Sequence, residues 1–458
     1  MCGIAGVLRF DGQPVSAGLL QRMTDVIAHR GPDSSAYTLH GHVGLGNRRL
    51  SIIDLSARGR QPMSNEDSSI WITYNGEIYE FERLREELQR AGHRFRSDTD
   101  TEVLVHLYEE MGTACLDAVQ GMFAFALWDT ARQKLLLARD RMGIKPLFYY
   151  ADEDRLLFGS EIKCILCDED VPRQVSLESL HHYLSLNYVP APLTMFKGIK
   201  QLLPGHCVVV ENGRVSTHEY WDLKFDERKR RCRTSEYAGR LDEKLHTSVA
   251  RRLVCDVPFG VFLSGGVDSS TVAYYMSEIL EQPVKTFSIG FEESSYSELA
   301  YARLVARHLH TEHYEHTVSA KGLDTLLPKL IWHAEEPLAD ASMVPIYHVA
   351  ELAREHVKMV LCGDGADEIL AGYSTYPAYY ASQAYRAIPK WFRENAIARC
   401  VNLLPVSDRK ISFDYKAKRF VRGAGLSPER AHYSWRLILT EDEKRRLYTD
   451  DVSRAAAG

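Results

Sequence analysis

Long apolar runs are missing from this chain. None approaches the roughly 20 residues of a membrane-spanning helix, so no helical anchor is expected. The opening run Met1-Cys2-Gly3-Ile4-Ala5-Gly6-Val7-Leu8 is too short for a secretory signal, and Arg9 and Asp11 follow it too closely. Cysteine is sparse and follows no paired pattern: nine residues, an odd number, are scattered over 458 positions. A disulfide framework is therefore not expected, and reduced thiols in the cytoplasm are. Cys164 and Cys167 form a lone CxxC with no second pair to complete a zinc site. A large charge of one sign is also lacking. The formal net charge of −6 supplies no basic field to gather nucleic acid. What remains is an ordinary globular composition, 45% hydrophobic and 26% charged, at a length that suits two domains.

Residues 1–218 read as many short strands with two clear helices among them. Trp71 to Tyr74 runs into Asn75-Gly76 and out through Glu77-Ile78-Tyr79, the pattern of a strand pair around an Asn-Gly turn. A helix carrying Leu84 and Leu88 follows, then one from Thr101 carrying Val105, Leu107 and Tyr108. Further strands are expected over Ala124 to Trp128, Lys134 to Ala138, Pro146 to Tyr150 and Leu156 to Phe158. Strands with helices segregated between them predict a layered α+β domain.

A charged linker is expected over 219–236. It includes Arg228-Lys229-Arg230-Arg231, read as a solvated run in preference to a nucleic-acid patch. Over 237–458 the rhythm becomes strand, helix, strand, helix. Strands are expected at Val257 to Leu263, Val284 to Ile289, Tyr314 to Val318 and Lys358 to Leu361. That alternation predicts a parallel sheet with helices on both faces, and chemistry in the loops after Leu263, Ile289 and Leu361. His308, His310, His313 and His316 straddle a helix end and a strand, so they are not read as a metal cluster. The aromatic run from Tyr373 to Tyr385 is read as core.

Removal of Met1 would make Cys2 the first residue and give its thiol, of pKa ~8.5, an α-amine of pKa ~7.7–8.0 as base. His29-Arg30-Gly31-Pro32-Asp33, Arg49-Leu50-Ser51-Ile52-Ile53-Asp54, Gln61-Pro62-Met63, Asn75-Gly76-Glu77-Ile78-Tyr79 and Ser97-Asp98-Thr99-Asp100-Thr101-Glu102 follow in order. Together these resemble the glutaminase domain of the class II glutamine amidotransferases, whose fold is the N-terminal-nucleophile hydrolase sandwich. The resemblance makes Cys2 the nucleophile and sets Arg49 on the glutamine carboxylate, where a planar bidentate donor is suited. It makes Asn75 and Gly76 the oxyanion hole, a feature worth ~3 kcal/mol to a transition state. Glu77 and Asp100, rather than Asp98, would hold the glutamine amino group.

Leu263-Ser264-Gly265-Gly266-Val267-Asp268-Ser269-Ser270 joins an expected strand to an expected helix. Glycines let backbone fold around phosphate, and a helix start offers free amides. The Walker A pattern is absent. This run resembles the PP-loop of ATP pyrophosphatases, and Cys362-Gly363-Asp364-Gly365-Ala366-Asp367-Glu368 follows the last expected strand. Glutaminase first and PP-loop domain second is the arrangement of the glutamine-hydrolysing asparagine synthetase family, which the whole chain resembles.

By that resemblance Leu263, Ser264, Gly265, Gly266, Asp268, Ser269, Ile289, Cys362 and Gly363 contact ATP. Asp268 and Asp367 flank Mg2+, and Asp364 belongs to adenylate formation. The substrates implied are glutamine, ATP and aspartate, with no nucleic acid or membrane partner, a homodimer as the assembly, and a protected route for ammonia. Two departures stand out. The family's loop commonly reads SGEGSDE where this chain has CGDGADE, which keeps open a different carboxylate acceptor. The family's VDRxSM-type and VRxPFLD-type segments are not found, so the second domain is expected to be incomplete at its C-terminus, which keeps open a non-catalytic regulatory relative. On this reading the chain hydrolyses glutamine better than it forms any amide. Comparing amide synthesis by this chain and by one extended at the C-terminus checks it, and equal rates would contradict it.

Overall fold

The computed structural model describes residues 1–225, 233–293, 295–319, 321–406 and 412–456. The basic run Arg228 to Arg231 lies outside them. Two compact units are present. The first comprises Met1–Leu180, Val189–Val257 and Trp332–Pro337, and the second His181–Tyr188, Pro258–Ile331 and Leu338–Gly458.

Among the described residues the first unit holds twelve strands in two six-stranded antiparallel sheets. In chain order they are β1 (Gly3–Arg9), β2 (Ser34–His40), β3 (Val43–Arg49), β4 (Met63–Ser64), β5 (Ile70–Ile78), β6 (Gly121–Asp129), β7 (Lys134–Arg139), β8 (Phe148–Ala151), β9 (Arg155–Gly159), β10 (Lys200–Gln201), β11 (His206–Glu211) and β12 (Arg214–Glu219). One sheet runs β10-β8-β9-β1-β3-β2 and the other β12-β11-β7-β6-β5-β4.

Side chains alternate across a strand, and here both faces of each sheet are apolar. Ile4 and Leu8 of β1 meet Ala124, Ala126 and Trp128 of β6 in a core between the sheets. Ala5 and Val7 point the other way, onto Leu20, Met23 and Ile27 of the helical segment around Ala17–Asp25. Phe123, Phe125 and Leu127 of β6 turn away from the inter-sheet core onto Leu84, Leu88, Val103 and Leu107. Those residues lie on the helices Phe81–Ala91 and Asp100–Met111. The result is a helix–sheet–sheet–helix sandwich, the α+β architecture of N-terminal-nucleophile hydrolase type.

One expected element differs. Asn75-Gly76 makes no turn; β5 runs straight through it, pairing Asn75 with Ala124 and Gly76 with Phe123. Neither residue takes a positive φ, which an Asn-Gly hairpin turn demands. Glycine is required at position 76 for closeness instead, because a Cβ there would lie 2.4 Å from the Met122 carbonyl oxygen.

In the second unit β13 (Phe259–Phe262), β14 (Lys285–Phe291), β15 (Glu312–Val318) and β16 (Met359–Leu361) form a parallel sheet of order β15-β14-β13-β16. Phe287 packs on Val349 and Ala353 of the helix Met343–Arg354. Gly290, three positions along and on the opposite face, lies against Leu299 of the helix Leu299–His308. Both faces are thus covered, as parallel sheets require. Tyr379 and Tyr385 of the aromatic run pack with Trp435 and Phe420 in a small separate core, whereas Tyr380 is 71% exposed.

Trp128 is 1% exposed at the centre of the inter-sheet core. Trp128→Ala should destabilise the first unit by about 3–5 kcal/mol, read as a lowered urea midpoint of its unfolding transition.

Candidate active sites

β1 begins one residue after Cys2, and its pairing with β3 (Gly3 opposite Arg48) carries the thiol to the end of β3. There the Leu50 amide donates to Cys2 Sγ at 3.4 Å, and the thiol faces the Leu50 carbonyl at 3.6 Å. Arg30 Nε donates to the Cys2 carbonyl at 3.0 Å. Burial pushes the Cys2 thiol up, opposed by the Leu50 hydrogen bond, the chain's terminal amine and the positive charge of Arg49. That amine is itself lowered to about 6 by burial, so near neutral pH it is free to accept a proton. Here the amine belongs to Met1.

Arg49 closes β3 and is buried. Its Nη1 donates to the Ser56 carbonyl at 3.1 Å, and its Nη2 donates to the carbonyls of Ile53 at 3.2 Å and Asp54 at 2.6 Å. On β5 the alternation puts Tyr74 and Ile78 on the helix side. Thr73, Asn75 and Glu77 therefore face the other sheet, where the Thr73 hydroxyl donates to the Gly46 carbonyl at 2.9 Å. Asn75 is 1% exposed, and its Nδ2 has no hydrogen-bond partner among the described residues. A buried amide donor left without an acceptor is costly unless an absent ligand supplies one.

Asp100 opens its helix and is buried, accepting from the Tyr74 hydroxyl at 2.7 Å and the Ile78 amide at 2.9 Å. Burial raises its carboxyl to about 6. Asp98, two residues earlier, instead sits outside and pairs with Arg85 at 2.9 Å. Burial likewise raises Glu77 to about 7, against the pull of Lys145, and the nearby charge of Asp100 adds to the rise.

Lys145 and Arg30 were given no role from sequence. Lys145 is buried and lowered by that burial, and the carboxylate of Glu77 and the Cys2 thiolate oppose the shift. Arg30 also holds Glu161, at 2.9 Å. His29, Lys163 and Arg30 together bring Glu161 down to about 2 against its burial.

In the second unit Leu263, Ser264, Asp268, Ser269, Ile289, Cys362, Gly363, Asp364 and Asp367 line one cavity of about 640 Å³ at the carboxyl ends of β13, β14 and β16. Glu368 and Tyr373 join them. Gly265 and Gly266 do not line it. Gly265 adopts φ +78°, and a Cβ on it would lie 2.5 Å from the Ala302 amide nitrogen, so it shapes the loop from behind. Gly266 caps the helix Val267–Ile279 and donates its amide to Ser264 Oγ at 3.2 Å. Ser264 and Ser269 hydroxyls share a hydrogen bond at 2.9 Å, which closes the loop on itself. Cys362 Sγ donates to Asp364 Oδ2 at 3.2 Å.

The carboxylates of Asp268, Asp364 and Asp367 give this cavity hard oxygen donors beside a helix start. That donor set fits a magnesium-bound polyphosphate. Cys164 and Cys167 are unpaired, and Cys164 is part of the apolar core around Ile162 and Ile165. The four histidines 308–316 do not assemble: His313 bonds Thr286 at 2.8 Å and pairs with Glu315 at 3.0 Å, while the His316 ring faces His348.

Residues 1–221 match the family described as Glutamine amidotransferase domain, and residues 240–454 the family described as Asparagine synthase. Glutamine-hydrolysing asparagine synthetase 1 of Bacillus subtilis is 37% identical over 401 residues, covering 86% of this chain and 62% of that protein. A Methanocaldococcus jannaschii protein whose name places it in the same class is 34% identical over 421 residues, covering 86% of this chain and 79% of its own. This chain thus spans less than two thirds of the length of the B. subtilis protein. Among solved structures, a glutamine phosphoribosylpyrophosphate amidotransferase from B. subtilis aligns with a TM-score of 0.38 at 13% identity, over 69% of this chain and 81% of its own. The fold rests on the sheets described above and not on that alignment.

The raised carboxyl of Glu77 carries a pH signature. Between its ordinary value and about 7 the folded state binds more protons than the unfolded one, so this group makes stability fall as pH rises through that window. Glu77→Gln should remove that fall. Its thermal midpoint should exceed the wild type's at pH 8, by a stabilisation on the order of 3 kcal/mol, and match it near pH 4. Calorimetry across that range provides the check.

Proposed function

The chain belongs to the glutamine-hydrolysing asparagine synthetase family, and we propose that it releases ammonia from glutamine at Cys2 and uses it to amidate aspartate activated by ATP. The observation that carries the first half is the buried Asn75 amide without an acceptor, in the charge environment that Cys2, Arg49, Glu77 and Asp100 share. Arg49 receives the glutamine carboxylate, and Glu77 and Asp100 its ammonium. With Met1 removed, the Cys2 amine takes the thiol proton, and sulfur attacks the side-chain amide carbon. The oxyanion is met by Asn75 Nδ2 and the Gly76 amide. Collapse expels ammonia, the amine returning its proton to the leaving nitrogen. Water then hydrolyses the thioester to glutamate and frees the thiol.

In the second half ATP lies in the 640 Å³ cavity, with its phosphates at Ser264 and Ser269 of the loop that Gly265 and Gly266 shape, and the remainder of the nucleotide against Leu263, Ile289, Cys362 and Gly363. Asp268 and Asp367 would hold Mg2+, which neutralises charge on the departing pyrophosphate. The aspartate carboxylate attacks the α-phosphate and pyrophosphate leaves. Ammonia adds to the acyl carbon and AMP leaves, giving asparagine. Asp364 is assigned to adenylate formation. The cytoplasm suits the eight unpaired cysteines among the described residues. A glutaminase domain over 1–218, a linker over 219–236 and a synthetase domain over 237–458 complete the reading, and homodimeric assembly rests on the family alone.

The test is formation of asparagine, AMP and pyrophosphate from glutamine, ATP and aspartate, run beside a panel of other carboxylates. Turnover of another acceptor in place of aspartate would overturn the choice of substrate. Cys2→Ala should abolish glutamine hydrolysis, and Asn75→Ala should lower its kcat by ~10²–10³. Asp268→Asn should remove exchange of labelled pyrophosphate into ATP while glutamine hydrolysis continues. Exchange at the wild-type rate in that variant would refute the magnesium role.

A further inference from the structure

A second constellation of ligand-type side chains lies in the first unit, outside everything assigned above. Glu66 sits in the turn between β4 and β5, His93 in the loop after the helix Phe81–Ala91, and His106 and Glu109 one turn apart on the helix Asp100–Met111. Their ligand atoms all lie within 4.8 Å of one another. His106 Nδ1 is 2.6 Å from Glu109 Oε2 and 3.8 Å from Glu66 Oε2, and His93 Nδ1 is 3.5 Å from Glu109 Oε2.

The outer surroundings of these groups are ordered in the way metal ligands require. His106 is fully buried; its Nε2, pointing away from the cluster, has no hydrogen-bond partner among the described residues and lies 3.9 Å from Glu102 Oε1. His93 also turns Nε2 outward, to Glu110 Oε1 at 2.8 Å. Each imidazole thus has Nδ1 inside the cluster; at His93 the Glu110 carboxylate behind Nε2 fixes the tautomer that metal binding at Nδ1 requires, and at His106 the Glu102 carboxylate stands behind Nε2 at 3.9 Å without a hydrogen bond. The carboxylates are oriented likewise. Glu109 Oε1 accepts from Asn65 Nδ2 at 2.7 Å and Glu66 Oε1 from the Arg94 amide at 2.8 Å, leaving each Oε2 toward the imidazoles. Glu66, Glu102 and Glu109 concentrate negative charge around one buried imidazole, and a divalent cation would offset it.

We propose that Glu66, His93, His106 and Glu109 form a structural zinc site. Two imidazoles and two carboxylates suit a borderline cation in tetrahedral geometry, and four protein ligands leave no position open for catalysis. Zinc there ties the 92–99 loop and the β4–β5 turn to the helix that Asp100 opens. The site is thereby a staple for the element carrying a glutamine-binding carboxylate.

The full chain, freed of metal by chelation, is titrated with Co2+ and separately with Zn2+. The expected result is one equivalent of Co2+ with the intense visible absorption of a tetrahedral site and no thiolate-to-cobalt charge transfer, together with a raised thermal midpoint on adding Zn2+. His93→Ala and Glu66→Gln, both outside the fully buried core, should each lose the cobalt absorption and the zinc-induced shift. Glu110→Gln, which removes only the carboxylate behind His93, should weaken binding about 10–100-fold. A wild-type protein that takes up no cobalt, a charge-transfer band showing sulfur ligands, or a cobalt spectrum that survives both His93→Ala and Glu66→Gln would each overturn the proposal. In the first case the cluster is a hydrogen-bonded knot of imidazolium and carboxylates. Glutamine and ATP chemistry take no part in the titration, so its outcome is independent of the proposed activity.

Discussion

Everything at the first site hangs on which way the residues of β5 point. The strand is sandwiched, apolar on the helix side through Ile72, Tyr74 and Ile78, and pinned on the other by Thr73 to the Gly46 carbonyl. A shift of one residue would bury Thr73, Asn75 and Glu77 against the helices and expel Tyr74, so the hydrophobic pattern fixes the register firmly. Once it is fixed, Asn75 and Glu77 have no choice of face. Tyr74 then reaches from the helix side to Asp100, so the core residue and the binding residue are positioned by one packing decision.

The second unit works by a different constraint. A parallel sheet gathers the carboxyl ends of its strands on one edge, and the loops that follow β13, β14 and β16 meet there in a single cavity. Residues as far apart in sequence as Leu263 and Asp367 become neighbours because their strands are. The Ser264 and Ser269 hydroxyls close the first loop on itself through a hydrogen bond at 2.9 Å.

The sequence was most informative where chemistry and local pattern coincide. The glycine-serine loop between a strand and a helix, and the continuous apolar runs of β6 and β7, could be read directly. Asn75-Gly76 misled because its turn chemistry is strong in isolation; tertiary pairing with Ala124 and Phe123 overrode it. Gly76 is there to let Met122 approach, a demand that the dipeptide itself does not advertise. Proximity along the chain misled in both directions. Of the four histidines crowded into 308–316, His313 and His316 go to separate partners. By contrast Glu66, His93 and His106 share a cluster only after two helices and a turn fold together. Lys145 and Arg30 escaped notice for the same reason: what marks them is burial among charges, which only the fold creates.

Arg49 allows one more deduction, by counting protons. A guanidinium carries five N–H donors, and three of the five are spent on the carbonyls of Ile53, Asp54 and Ser56. Two are left over, one on Nε and one on Nη1, each able to meet a separate acceptor oxygen. A lysine ammonium has only three protons, all on one nitrogen. Bound to the same three carbonyls it would be saturated, with nothing left to offer. The position therefore selects against lysine even though the charge would be conserved, because the scaffold itself consumes a whole lysine's worth of donors before any substrate arrives. Loosening the 53–56 backbone would release those protons, and with them the aim of the remaining pair.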